Sequence, residues 1–264
     1  MKAPSFAYAK PRSLDEALEL IARPGAKVLA GGQSLIPTLN MRLSAPELLV
    51  DITGLTTLKG ISLEQGVVRI GALTTHCELE KSSVIQKHVP MLAQAVPHVA
   101  HPAIRNRGTI GGSIALADPA AEYPACLVAL GAVVFVQGKG GQRQVKAEEF
   151  FKGLFTTALE SAELVVAVEI PAIGKDDRSV FLELARRHGD YAIVGLAAHN
   201  DRFVFFGVGE TPVVLPGQKS LEETKQRLAR ELKPIGDLYI SPMAKRHLAS
   251  VLLERAWNTQ SRPR

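Results

Sequence analysis

The sequence predicts an α+β fold arranged in two or three subdomains. Three observations point there. Helical and strand-like hydrophobic patterns are interspersed along all 264 residues. They lack the regular βαβ alternation of a doubly wound sheet. A linker-like Gly174-Lys175-Asp176-Asp177 separates a last block from the rest.

The first block, 1–54, reads as a small α/β unit. Ser13 stands as an N-cap with Glu16 at capping-box spacing. Leu14, Ala17, Leu18 and Ile21 then recur at helical intervals until Pro24-Gly25. Residues 27–30 form a short strand running into Gly31-Gly32. A helix is expected over 34–43, with Pro37 tolerated in its first turn, and a strand over 48–52. The second block, 55–172, contains a strand at 67–70 and helices at 76–82 and 91–99. A buried helical turn at 125–130 follows. Strands at 133–137 and 143–145 flank a glycine-rich hairpin at 138–141, and a final strand at 164–170 precedes Pro171. The third block, 177–264, carries strands near 180–185, 193–199 and 202–207, then helices over 220–232 and 241–257. The polar tail after Asn258 is expected to fray.

Composition excludes several function classes. The chain is 46% hydrophobic and 22% charged, an ordinary globular balance. The net charge of +5 comes from scattered pairs such as Arg105 and Arg107, Arg186 and Arg187, and Lys245 and Arg246. With only 5% aromatic residues there is no stacking platform, so nucleic acid is not an expected partner. Cys77 and Cys126 are too few for a four-thiolate zinc or iron–sulfur site and read as reduced structural thiols. His76, His98, His101, His188 and His199 show no His-x-x-x-His pair, so no metal is expected. Residues 1–12 lack the apolar core of a signal peptide, and no run is long enough to span a membrane. The expected location is the cytoplasm.

The informative segments are two glycine pairs. Ala30-Gly31-Gly32-Gln33-Ser34 places a double glycine between a strand and a helix. Such a turn lets the backbone approach a ligand closely and turns N–H groups toward an anion; it is equally compatible with a tight turn holding no ligand. Thr109-Ile110-Gly111-Gly112-Ser113 repeats the chemistry, with a strand-like approach and hydroxyls at both ends. Two such loops suit an extended ligand such as a dinucleotide pyrophosphate with its sugar or ribityl arms. A branched side chain at Gly32 or Gly111 is expected to fill the ligand's space while leaving most of the fold intact. Arg105 and Arg107 add positive field nearby or are solvated surface charges. P-loop and nucleophile-elbow patterns are absent.

These two motifs resemble the paired FAD motifs of the molybdenum hydroxylase flavoproteins, the family of the carbon monoxide dehydrogenase medium subunit and the xanthine dehydrogenase FAD domain. The resemblance continues through Ile104-Arg105-Asn106, Asp118-Pro119, 163–171, 186–192, Gly207-Val208-Gly209 and the helix at 247–255. It implies a fold of two N-terminal α/β subdomains, 1–54 and 55–172, holding FAD between them, followed by a C-terminal α+β domain, 177–264. It further implies that the 30–34 and 109–113 loops grip the pyrophosphate and its flanking hydroxyls. Glu122 stands where the family usually has Asp, a polar contact to the cofactor. Val165 matches a position that packs on it. Tyr191 matches an aromatic near the isoalloxazine ring, and it also suits an ordinary half-buried core position. Members often carry a lysine that reaches the flavin just before the arginine pair; the stretch Phe181-Leu182-Glu183-Leu184-Ala185 has none.

No catalytic acid, base or nucleophile is expected on this chain, since a flavin carries out its own redox chemistry. The resemblance implies a large subunit with a molybdenum–pterin centre and a small subunit with two 2Fe-2S clusters, in a dimer of heterotrimers. FAD then passes electrons to NAD, oxygen or a quinone. The alternatives are a stand-alone FAD oxidoreductase and a cofactor-free scaffold module of the same fold.

Overall fold

The computed structural model describes residues 2–261. Its first sheet is parallel, in the order β1-β3-β2, from β1 (Ala7–Ala9), β2 (Ala26–Leu29) and β3 (Leu48–Asp51). Helices α1 (Leu14–Ile21) and α2 (Leu35–Asn40) make the crossovers. Ser13 caps α1 by accepting the Glu16 N–H at 3.1 Å. The Glu16 carboxylate takes the Arg12 N–H, however, so the expected reciprocal box is only half formed. A complete box closes instead at Thr75 and Glu78.

The second sheet has five antiparallel strands. Its early strands are β4 (Ile61–Glu64) and β5 (Val67–Gly71). Short helices follow: α3 (His76–Lys81), α4 (Ser83–His88), α5 (Pro90–Ala95), α6 (Pro102–Arg105), α7 (Ile110–Leu116) and α8 (Glu122–Ala129). A 3-10 turn, Val96–His98, extends α5, which is why 91–99 reads as one helix. The hairpin β6 (Val133–Gly138) and β7 (Gly141–Lys146) pairs as expected, with Gly138 opposite Gly141. Helix α9 (Ala147–Phe150) and the ribbon of β8 (Phe151–Gly153) and β9 (Thr156–Thr157) lead to β10 (Leu164–Pro171). The order is β4-β5-β10-β6-β7.

The third sheet is an antiparallel meander of β11 (Ser179–Leu184), β12 (Val194–His199), β13 (Arg202–Phe206) and β14 (Val213–Pro216). Helices α10 (Leu221–Glu231) and α11 (Pro242–Gln260) cover one face. Rather than fraying after Asn258, α11 runs to Gln260; residues 262–264 lie outside the described residues.

Three cores tie these layers together. One lies between α1, the parallel sheet and one face of the five-stranded sheet, through Leu18, Val50, Phe135 and Val166. The largest lies between the other face of that sheet, helices α3–α8 and the inner face of the meander, through Ile70, Leu92, Tyr123, Val136, Phe181 and Phe206. Every residue of α8 is buried. A helix enclosed on all sides has no polar stripe to mark its limits, so its start at Glu122 is invisible to periodicity. Strand alternation lets β10 serve both cores, Val165 facing one and Val166 the other, and a bulge between Val165 and Ala167 turns both Val166 and Ala167 toward the same core. Among the described residues no helix is long and apolar enough to cross a membrane.

Candidate cofactor-binding site

The first glycine loop follows β2. Gly32 adopts φ +74°, a left-handed conformation that favours glycine. Its carbonyl accepts the Ile36 N–H at 3.0 Å and so starts α2. Gln33 folds back to donate from Nε2 to the Gly31 carbonyl at 3.3 Å. Ser34 sits exposed at the N-cap of α2 and makes no side-chain capping bond. Gly31 is buried, and a Cβ there would stand 2.3 Å from the Arg107 carbonyl oxygen and 2.8 Å from the Gly108 Cα. The first loop therefore rests directly on the approach to the second.

That approach is not a strand. The chain arrives from α6 through a turn, and Thr109 makes an isolated β-bridge to Thr75, itself the N-cap of α3 rather than part of a sheet. Thr109 then caps α7, its Oγ1 accepting the Gly112 N–H at 3.1 Å. Ile110 and Gly111 point inward. Their N–H groups donate to the carbonyls of Thr74 at 3.0 Å and Ala72 at 2.9 Å. A Cβ on Gly111 would meet the Ala72 Cβ at 2.5 Å and its carbonyl oxygen at 2.7 Å. This glycine permits close helix-to-strand packing, so Gly111→Val would disrupt the fold rather than act as the clean ligand-blocking change the sequence suggests. A side chain at Gly32 is strained in its own right by the positive φ. Gly112 is exposed, and a Cβ on it would be 3.0 Å from the Thr109 Oγ1 and 3.9 Å from the Ala30 Cβ, where the two loops meet. Ser113 is half-buried on the next position.

Two buried side chains outside the expected contact set hold this arrangement. Arg105 is not a solvated surface charge: it is 7% exposed, and its positive charge acts on buried His76. It binds Glu80 at 3.0 and 3.3 Å and donates to the carbonyls of Pro97, Val99 and Ala100. This clamp fixes the 97–108 segment, and its one sequence signal was its place in Ile104-Arg105-Asn106. His76 lies under Gly108, its backbone N–H donating to the Gly108 carbonyl at 2.9 Å and its Nδ1 3.0 Å from the Tyr123 hydroxyl. Burial, with the Arg105 charge adding, lowers its imidazole to about 4. A lone histidine without a paired ligand gave no signal.

The other expected contacts are spread more widely. Glu122 opens α8, buried at 8% exposure. Burial pushes its carboxyl up to about 7, and the charge of Asp118 adds to the shift. Val165 is buried at the β10 bulge. Tyr191 is 71% exposed, so it is no core tyrosine. It lines a cavity of about 440 Å³ with Asp118, Leu154, Phe155, Gly207, Asp237 and Lys245. Lys245 Nζ is engaged there by the Gly207 carbonyl at 2.9 Å and by Asp237 at 3.1 Å. A second groove of about 470 Å³, along Lys59, Thr75, Cys77, Glu78, Lys81, Ser82 and Asn106, contains none of the expected cofactor contacts.

Comparison with known proteins decides the family. Residues 4–173 match the FAD-binding domain of molybdopterin dehydrogenases. The chain belongs to that family. The alpha subunit of the 6-hydroxypseudooxynicotine dehydrogenase complex of Paenarthrobacter nicotinovorans is 46% identical over 200 residues, 75% of this chain and 68% of the relative. The carbon monoxide dehydrogenase medium chain of Hydrogenophaga pseudoflava is 40% identical over 199 residues, 75% of this chain and 69% of the relative. A solved carbon monoxide dehydrogenase from the same organism, lacking the Mo-pyranopterin moiety of its cofactor, superposes with a TM-score of 0.94 at 33% identity. That match covers 98% of each chain. The α+β architecture is therefore that of the molybdenum hydroxylase flavoproteins, and the chain is an FAD-binding oxidoreductase subunit. The residues present fit the cofactor: Gly112 is exposed beside Ala30, and the lack of a side chain there leaves the loop backbone open to a ligand.

Proposed function

We propose that this FAD-binding chain is the electron relay of a heteromeric molybdenum hydroxylase, taking electrons from iron–sulfur clusters on a partner and passing them to an external acceptor. The observation that carries this reading is the meeting of the two glycine loops, with Gly31 seated on Arg107 and Gly108 and Gly112 facing Ala30. FAD bound there supplies the redox chemistry, and the protein supplies position and electrostatics.

The family resemblance supplies roles for the chain's own residues, and their positions in the fold support this reading. Ala30 to Ser34 bring backbone and the uncapped Ser34 hydroxyl to the pyrophosphate, while Thr109, Gly112 and Ser113 present the opposing edge. Ile110 and Gly111 act from behind, locking that edge to Thr74 and Ala72. Glu122 supplies a carboxyl contact, Val165 packing, and Tyr191 a ring for the isoalloxazine. The units 1–54 and 55–172 hold the cofactor between them, and 177–264 contributes Tyr191.

Two cysteines cannot ligate an iron–sulfur cluster of four thiolates, so the clusters belong to another chain. The partners are a large molybdenum–pterin subunit and a small subunit with two 2Fe-2S clusters, assembled as a dimer of heterotrimers in the cytoplasm. The acceptor is NAD, oxygen or a quinone. The test is purification through a tag on this chain alone, after expression with its genomic neighbours. Flavin, iron and molybdenum in one complex are expected. A lone colourless chain that takes up no added FAD would overturn the reading, and flavin-dependent turnover by the chain alone would replace it with a stand-alone oxidoreductase.

A further inference from the structure

The cavity of about 440 Å³ lies where the middle and last blocks of the chain meet. The Gly207 N–H donates to the Pro119 carbonyl at 2.9 Å and joins its two walls, and the Ile235 N–H donates to the Val208 carbonyl at 2.8 Å. Ligand pockets of about 300–1,000 Å³ concentrate at such boundaries. Asp118 enters the lining directly beyond Ala117, the C-cap of α7. Gly112 meets Ala30 near the other end of that helix, so the cavity begins roughly 10 Å from the meeting of the glycine loops.

The apolar part of the lining comes from three separate segments. Leu154, Phe155, Tyr191 and Ile235 line the cavity, and each is more than half exposed. Leu154 and Phe155 form the two-residue turn of the β8–β9 ribbon, where glycine or small polar residues are the usual choice. Phe155 takes φ +50° there, a left-handed conformation rare for a bulky side chain. Turn chemistry does not account for that tip, and backbone strain of this kind gathers where ligands are held. The polar part of the lining is acidic, with carboxyls at Asp118, Glu210 and Asp237. Among the described residues that line the cavity, Lys245 is the one cation. It is buried, and two of its three Nζ–H groups engage the Gly207 carbonyl at 2.9 Å and Asp237 at 3.1 Å. One donor remains, on a charge that Asp237 already matches. This set suits a flat apolar ring whose carbonyl oxygen accepts one hydrogen bond. It opposes the phosphates of a dinucleotide, which would meet three carboxyls and no free cation.

We propose that this cavity seats the external electron acceptor, and that the acceptor is an uncharged quinone rather than a dinucleotide. The proposal rests on the reading of the chain as an FAD relay with Tyr191 against the isoalloxazine, which puts that ring beside the cavity that Tyr191 lines. The quinone ring packs among Leu154, Phe155 and Ile235, and one of its oxygens accepts from Lys245. Reduced FAD gives up two electrons and two protons and returns to its oxidised form. The quinone gains both at its two oxygens and leaves as the hydroquinone. The residues of the cavity bind and orient the acceptor, and none forms a covalent bond to it.

The test begins with binding to the cofactor-free chain. The probe is duroquinone, a fully methylated benzoquinone that does not add the half-exposed thiol of Cys77, and NAD is the rival ligand. Duroquinone is expected to bind and NAD is not. Phe155→Gly removes the ring and suits the turn; it is expected to weaken duroquinone roughly 3- to 10-fold. No quinone binding, or equal affinity in wild type and variant, would overturn the site. NAD binding in competition with duroquinone would overturn the acceptor class. With FAD loaded and reduced under anaerobic conditions, the rate of reoxidation is expected to saturate with duroquinone. Half-saturation should rise in Phe155→Gly by the factor seen in binding. FAD that instead expels the quinone would make the cavity the seat of the isoalloxazine itself and overturn the proposal. A chain that never takes up FAD would sink the relay reading and the acceptor role with it, while the duroquinone titration still decides what the cavity binds. Should Phe155→Gly fold poorly, Ile235→Ala serves in every arm.

Discussion

Gly31→Ala is the sharpest perturbation of the contact between the loops. The added Cβ would lie 2.3 Å from the Arg107 carbonyl oxygen and 2.8 Å from the Gly108 Cα. Ordinary carbon–oxygen contact lies about 1 Å farther out, so one loop must move by roughly that distance. Overpacking of this kind costs about 1–3 kcal/mol. Arg107 is exposed and its turn can yield, so most of the cost is expected when FAD requires the loops to close. Carried into binding, about 1–3 kcal/mol weakens FAD roughly 5- to 150-fold. Carried into folding instead, it lowers the melting temperature by roughly 2–4 °C per kcal/mol in a domain of this size. The assay is titration of FAD into deflavinated protein, paired with thermal unfolding of the same sample. Gly140→Ala is the control, because a Cβ there meets nothing within 4 Å. An unchanged FAD affinity in Gly31→Ala would refute the claim that these loops grip the cofactor together, whatever happened to the melting temperature.

Three further outcomes are expected. His76 keeps its neutral form when folded down to about pH 4, whereas the unfolded chain binds that proton near the ordinary 6.5. The unfolded state therefore holds more protons between those values, and stability should fall by up to roughly 3 kcal/mol as pH drops through the window. Denaturant titrations of His76→Gln should lose this part of the pH dependence. Arg105→Met leaves three carbonyls and Glu80 without their donor, at a cost of about 2–4 kcal/mol; a midpoint shift well under 1 kcal/mol would show that the clamp contributes little. Tyr191→Ala removes an exposed ring and should change stability by less than about 0.5 kcal/mol, yet weaken FAD and alter its fluorescence. Unaltered flavin fluorescence would remove Tyr191 from the site.

Elements with one dry and one wet face, such as α1, were legible because exposure writes a period into them, and strands buried on both faces, such as β10 and β12, as short apolar runs bounded by turn residues. Helix α1, the β6–β7 hairpin, β10, three strands of the meander and both closing helices fell close to where they were expected. The short strands β1, β4 and β14 were missed. With three or four residues each, they are too short to carry a pattern, and neighbouring strands rather than local preference make them strands. Helix α8 was cut short for the opposite reason, since burial on every side erases the period.

For the site, the sequence by itself determined the chemistry on offer: two glycine pairs with hydroxyl neighbours, two cysteines too few for a cluster, and a pattern specific enough to name the family. Only the tertiary structure decided which atoms do what. Gly111 and Gly112 are adjacent in sequence and alike in chemistry, but α7 turns one against Ala72 and the other toward Ala30. Arg105 resembles Arg107 until folding buries the first among carbonyls and leaves the second in water. Glu183 looks like one more surface acid, yet folding leaves its side chain 1% exposed with neither carboxylate oxygen hydrogen-bonded. Sequence fixes which groups a residue carries; burial and neighbours, set by contacts many residues apart, fix their charge and their reach.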